Sequence, residues 1–273
     1  MRAVRSLTVP ALALAFTALL GDAPTAQAPP ASAEPISSKS WVGKAAEYED
    51  YLRTAEIVSM QDIGSGVTHP KRARLAPGGP FESFAFKSIK PGTYEGYQES
   101  YKAEIAAYEI DKLLELNMVP PTVERTIKSE TGAAIMWVKP TRSFKDMGGP
   151  PDPPPQYFEF FNRQMTRAKM FDDLIGNLDP NLGNWLVDPA WNLVLIDHSR
   201  ALTIRTMMPH KLTRVDAALW DRMKALTEKS LTPALRKWLG RGEIGAIIDR
   251  RNKMEKEIDK LVKASGEDAV FIR

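Results

Sequence analysis

The stretch Leu174–Leu202, LIGNLDPNLGNWLVDPAWNLVLIDHSRAL, decides how the rest of the chain is read. It crowds Asp179, Asn184 and Asp197 around glycines, between segments whose aliphatic content marks them as buried. WLVD and LVLID read as two short strands around a turn at Pro189–Asn192. Taken singly, DPN and LGN are ordinary loop tripeptides, because Asp and Asn satisfy their own turns. Taken together across a hydrophobic hairpin, the three side chains point to a divalent metal and a phosphate. Mg²⁺ takes hard oxygen ligands and keeps several waters, so one Asp and one Asn suit it.

Phosphoryl transfer also needs a cation on the nucleotide and an aspartate beside the incoming hydroxyl. FAFKSIK ends an alternating strand with Lys87, which either points inward toward phosphates or is a solvated edge lysine. Lys90 competes with it, but abuts Pro91-Gly92 and reads as a turn residue. A buried lysine wants a carboxylate partner. The helix expected over Glu99–Val119 offers Glu99, Glu104 and Glu109, and Glu104, early in it and followed by the apolar face, is preferred. IGSGVT (Ile63–Thr68) is either a tight hairpin turn or a loop whose amides at Gly64 and Gly66 cover phosphates. His198 has no second metal-ligand histidine nearby, so it reads as structural or substrate-facing.

Around these residues the chain divides in two. AAEYEDYLRTAEI reads as a short helix, and the segment from Ile57 to Gly92 as three strands with turns at the glycines and at Pro77-Gly78-Gly79-Pro80. After the Glu99–Val119 helix, stopped by Pro120-Pro121, TVERTIKSETGAAIMWVKP reads as a hairpin turning at Ser129–Gly132. MGGPPDPPP suits neither helix nor strand and reads as a linker. A helix over Tyr157–Ile175 then leads into the opening stretch, and further helical runs fill Pro209–Lys263. The expected class is α+β and bilobal. The N-lobe spans 46–146, the linker 147–155 and the mainly helical C-lobe 156–273, after a spacer at 34–45.

Residues 1–33 form a separate unit. Arg2 and Arg5 precede an apolar run, Val9–Leu20, of signal-peptide length and too short for a comfortable membrane span. Cleavage after Ala33 is preferred to the site at Ala26–Ala28, which Pro29 follows directly. The expectation is export to a periplasmic or secreted location without a stable membrane span, the alternative being an N-terminal anchor. The absence of cysteine excludes disulfides, iron–sulfur clusters and thiol catalysis. A net charge of +3 gives no reason to expect a nucleic-acid partner, and the chain is expected to act as a monomer.

FDDLIGNLDPNLGNWLVDPAWNLVLIDHSRAL resembles the catalytic loop and metal-binding hairpin of atypical kinases. These comprise the phosphatidylinositol 3-/4-kinase-like group, the HipA-type kinases and the secreted Golgi casein kinase family. The resemblance implies a bilobal kinase-like fold, with ATP and Mg²⁺, or Mn²⁺ in its place, as cofactors. It makes Asp179 the catalytic aspartate, and Asn184 and Asp197 the metal ligands. Lys87 becomes the phosphate-binding lysine and Glu104 its ion-pair partner, while Gly64 and Gly66 lie in the phosphate-covering hairpin. AIMWVKP becomes the strand entering the hinge, where backbone groups at Trp137 and Val138 meet adenine.

Two positions depart from the pattern. Pro180 stands where many relatives carry Arg, and Ser199 replaces a glycine. The expected activity is transfer of the γ-phosphate to a hydroxyl on a protein, a lipid or a small molecule. A pseudokinase acting as a binding module and an adenylyl transferase are the alternatives.

Overall fold

Apolar alternation in the N-terminal half builds one antiparallel sheet. The computed structural model describes residues 36–64, 70–179 and 181–273. After helix α1 (Ala45–Thr54) come strands β1 (Ile57–Asp62), β2 (Lys71–Leu75) and β3 (Ser83–Lys87). A small hairpin, β4 (Gly92–Tyr94) and β5 (Tyr97–Glu99), precedes helix α2 (Tyr101–Leu113). Strands β6 (Thr122–Ile127) and β7 (Glu130–Met136) complete the sheet in the order β1-β2-β3-β7-β6. Successive side chains of a strand face opposite ways. Phe84 and Phe86 therefore pack with Tyr48 and Leu52 of α1, while Ala85, Ala133 and Ile135 pack with Tyr101 and Ile105 of α2.

Helix α2 is shorter than the expected Glu99–Val119, and Pro120-Pro121 is not what stops it. Its N-cap is Ser100, whose side chain accepts from the Lys102 amide, and Glu99 belongs to β5. At the other end the buried Asp111 carboxylate accepts the amides of Asn117, Met118 and Val119. That folds the chain back, with Glu115 and Asn117 in left-handed conformations. The next turn also moves. The β6–β7 register pairs Ile127 with Glu130, so the turn is Lys128-Ser129 rather than Ser129–Gly132. Both turn residues have positive φ, as a two-residue hairpin matching strand twist requires.

The chain leaves the first sheet at Met136 and joins a second one at β8 (Arg142–Ser143). The crossing thus lies at 137–141, ahead of the Met147–Pro155 stretch expected to form the linker. Helix α3 (Phe158–Ile175) follows, then β9 (Trp185–Val187) and β10 (Leu193–Leu195), which form the expected hairpin. Helices α4 (Ala217–Lys224), α5 (Glu228–Leu235) and α6 (Arg241–Ser265) close the C-terminal half. A single apolar core joins these helices to α3, the hairpin and the inner side of α2. The result is a mixed α+β protein with a β-sheet N-terminal region and a helical C-terminal part.

Among the described residues, no helix is long and apolar enough to cross a membrane. Residues 1–33, read above as a signal peptide or anchor, lie outside the described set, as do Gly66 and Pro180.

Candidate active site

Lys87 and Glu104 meet because β3 and α2 are adjacent in the fold. Gly132 on β7 lets the backbones close up, since a Cβ there would strike the Lys87 carbonyl. The Lys87 ammonium lies 2.7 Å from Glu104 Oε1 and 2.6 Å from Asp197 Oδ1. Lys87 and Glu104 are buried, while the Asp197 side chain is 38% exposed and so remains open to a ligand. Burial opposes the lysine charge, but the two carboxylates outweigh it and raise the Lys87 pKa. Burial likewise works against ionisation of Asp197, yet the Lys87 charge and hydrogen bond hold its carboxyl below the ordinary range. The three residues form one charged cluster.

The β9–β10 hairpin delivers Asp197. Its strands are braced by α3, whose Gln164 amide accepts from the Leu193 N–H and donates to the Trp191 carbonyl. The Leu195 N–H donates to the Met118 carbonyl, tying the hairpin to the loop after α2. Asp197 itself adopts φ of 64°, a left-handed conformation that few non-glycine residues take. The His198 amide then donates to Glu104 Oε2 at 2.9 Å, so Glu104 holds both Lys87 and the turn after Asp197. His198 is buried against Phe171, and desolvation lowers its pKa. Of the two roles open to it in the sequence, the structural one fits.

Asn184 lies opposite Ile196, whose amide donates to its carbonyl at 3.0 Å. The hairpin thereby sets Asn184 beside Asp197 despite thirteen residues of separation. Asn184 Nδ2 donates to the Asp179 carbonyl, which leaves its Oδ1 as the oxygen able to ligate. Asp197 Oδ1 takes Lys87 and the Ser199 hydroxyl, and its Oδ2 is engaged by no described residue. Two hard oxygens suit Mg²⁺ or Mn²⁺, which complete their shells with water and phosphate. No group of three or more His, Cys, Asp or Glu side chains among the described residues is placed to hold a metal.

Helix α3 ends at Gly176, whose left-handed φ of 61° turns the chain into the loop carrying Asp179. The Asp179 amide donates to Asn177 Oδ1, and its Oδ1 accepts from Asn181 Nδ2 at 3.2 Å. Its Oδ2 lies 3.1 Å from Arg200 Nη1. Arg200 Nε is also 2.8 Å from Glu99 Oε1, and its guanidinium covers the Tyr97 ring at 4.3 Å. Neither Arg200 nor Glu99 belongs to the set chosen from the sequence. The available signal was a charge inside the otherwise buried run Ser199–Leu202, where an unpaired cation would be costly.

The remaining predicted residues fare unevenly. Lys90 is exposed, and Glu109 pairs with Lys112 on the outside of α2. Gly64 sits at positive φ at the start of the β1–β2 turn. The Trp137 amide is committed to the Ser83 carbonyl, which leaves its own carbonyl as the backbone group open to a ligand. Val138 is buried, and its amide has no hydrogen-bond partner among the described residues, which makes it the better placed of the two.

No protein-family model matches this chain, and neither does any curated protein. Solved structures do. A hydra Fam20 structure with sugar aligns with a TM-score of 0.58 at 17% identity, over 82% of this chain and 90% of that one. The Golgi casein kinase with Mn and ADP bound aligns at 0.61 and 14% identity, over 84% and 78%. The Helicobacter pylori proinflammatory kinase CtkA aligns at 0.54 and 12% identity, over 78% and 98%. The fold is kinase-like. At these identities the likeness speaks to architecture alone, so chemistry rests on the side chains just described.

Proposed function

We propose that the protein is an ATP-dependent phosphotransferase of the atypical kinase type. The observation that carries this reading is the convergence of Lys87, Glu104 and Asp197, drawn from three separate elements, beside Asn184 and Asp179. A fold needs no such cluster, because a buried ion network is weak evidence for stability. A nucleotide needs each part. The Golgi casein kinase is described with Mn and ADP bound, which supports nucleotide and divalent metal use here.

In this proposal Asn184 Oδ1 and Asp197 Oδ2 would hold the divalent ion, which would supply positive charge to offset that of the phosphates. Lys87, kept protonated by its two carboxylates, steadies the nucleotide phosphates, and Val138 N–H meets the base. Asp179 orients the acceptor hydroxyl and takes its proton as the oxygen–phosphorus bond forms. The bond from the γ-phosphorus to its bridging oxygen breaks, and ADP leaves. The acceptor is a hydroxyl on a protein, lipid or small molecule. Export through the N-terminal apolar segment accords with a fold neighbour named for the Golgi.

Label transfer tests the proposal. With γ-labelled ATP and Mn²⁺, wild type labels a hydroxyl acceptor or itself, and Asp179→Asn does not. Label transferred from α-labelled ATP instead would establish adenylyl transfer. Mn·ADP binding without any transfer would establish a binding module.

A further inference from the structure

Asp179 sits on a loop, its side chain is 35% exposed, and its neighbours Asn177 and Asn181 are short polar groups of the same loop. Asn177 is anchored by the buried Asp172 but takes only the Asp179 main-chain amide, and among the described loop residues the carboxylate itself is reached by the exposed Asn181 alone. Arg200 comes from elsewhere. It lies three residues after Asp197, and the segment carrying it is pinned at several points. The Ser100 amide donates to the Ser199 carbonyl, and the Leu202 amide to the Ile175 carbonyl. The buried Arg250 reaches the carbonyls of Thr203 and Arg205.

The guanidinium is pinned as well. Its Nε is held by Glu99, whose side chain is 1% exposed, and its face rests on Tyr97. Only Nη1 turns toward Asp179. A planar guanidinium holds its two carboxylates in one fixed geometry while its face stacks on the ring, an arrangement that an ammonium, a point charge on a flexible stem, does not reproduce. Burial opposes the charge, but Glu99 and Asp179 raise the Arg200 pKa, so the group is cationic throughout the usual pH range.

We infer that Arg200 is the positioning residue of Asp179. It fixes the carboxylate against the β4–β5 hairpin through Glu99 and Tyr97, leaving Lys87, Asn184 and Asp197 to bind the nucleotide. The inference rests on the phosphotransferase reading and deepens it. It assigns to Arg200 the charged contact to Asp179 Oδ2, beside the neutral one that Asn181 makes to Oδ1. Because Arg200 touches neither Lys87 nor Asn184, its loss acts on turnover and spares nucleotide affinity.

The test measures ATP turnover, Mn·ADP affinity and melting temperature for wild type, Arg200→Ala, Arg200→Lys and Glu99→Gln. Arg200→Ala is expected to lower kcat by about 100-fold, the loss that a misplaced group of about 1 Å produces. KM for ATP and the Mn·ADP affinity stay within about twofold, since their contacts are untouched. Millimolar guanidinium restores part of the lost rate, which a structural defect would not permit. Arg200→Lys and Glu99→Gln fall between, and stand in for Arg200→Ala if that variant does not fold. Variants with wild-type or higher kcat overturn the inference, as do variants whose kcat and ADP affinity fall together without rescue. A wild type that binds Mn·ADP yet turns over no ATP overturns the phosphotransferase reading and the inference with it.

Discussion

The two charged clusters of the candidate site are built differently. Lys87 and Glu104 stand on β3 and α2, and Asp197 follows β10 by two residues, held by the Ile196 amide before it and the His198 amide after it. Asp179 and Arg200 stand on irregular chain, held by hydrogen bonds and by Arg250 behind them. Glu104 shows how tightly the first cluster is determined, for its two oxygens hold a lysine and the backbone after Asp197. The second cluster hangs on one guanidinium. The difference teaches a division of labour: the rigid cluster suits ligand binding, and the looser one suits a group that must meet a varied acceptor.

Removing Asp197 should break that comparison most severely. Asp197→Asn takes the proposed metal ligand and one partner of Lys87 together. Turnover should fall by about 10³-fold or more, as expected when several kcal/mol of charge stabilisation is lost. A coupled assay for ADP release checks this.

Arg250→Met attacks the looser side from behind. The buried Arg250 donates to the carbonyls of Leu174, Thr203 and Arg205, and desolvation lowers its pKa to about 10. Leaving those acceptors unpaired should cost about 2–4 kcal/mol of stability. Urea unfolding measures it, with the midpoint moving and the slope holding.

Glu104→Gln tests the rigid side more gently. It keeps the shape and one acceptor oxygen while removing a charge from Lys87. Mn·ADP affinity should weaken by about tenfold, roughly the 1–2 kcal/mol that one charge-assisted hydrogen bond contributes. Isothermal titration reads this directly.

The smallest effect concerns pH. Asp173, fully buried on α3, accepts the His210 amide at 2.8 Å, and no described residue satisfies its Oδ2. Burial raises its pKa to about 7, against the lowering pull of the His210 amide. A raised acid pKa means the folded state binds the proton more tightly than the unfolded one. The associated stability is full below the unfolded value near 3.8 and is lost as pH rises through about 7. Asp173→Asn should therefore melt a few degrees higher than wild type at pH 8, with a smaller gain at pH 5, where only part of that stability has been lost. Melting curves at the two pH values decide it.

The rigid cluster was legible in the sequence and the loose one only by half. Lys87 ends β3, Asp197 follows β10 by two residues and Glu104 lies where an amphipathic helix faces the sheet, so local pattern offered all three as candidates and the resemblance to atypical kinases chose them. Arg200 was missed because its partners lie 21 and 101 positions away, across backbone that no repeat describes. Glu99 was assigned to a helix and turned out to end a strand, because Ser100 is the cap. The end of α2 escaped for a similar reason. Proline was the obvious stop, but the Asp111 carboxylate gathers three amides and ends the helix earlier. Side-chain-to-backbone contacts of this kind leave no periodic trace.

Calorimetric titration of Mn·ADP into wild type, Asp197→Asn and Asp179→Asn, with turnover measured on the same samples, tests the division of labour most directly. Wild type should bind and turn over, Asp197→Asn should lose both, and Asp179→Asn should bind like wild type and turn over nothing. Turnover by Asp179→Asn at the wild-type rate, or wild-type affinity in Asp197→Asn, would contradict it.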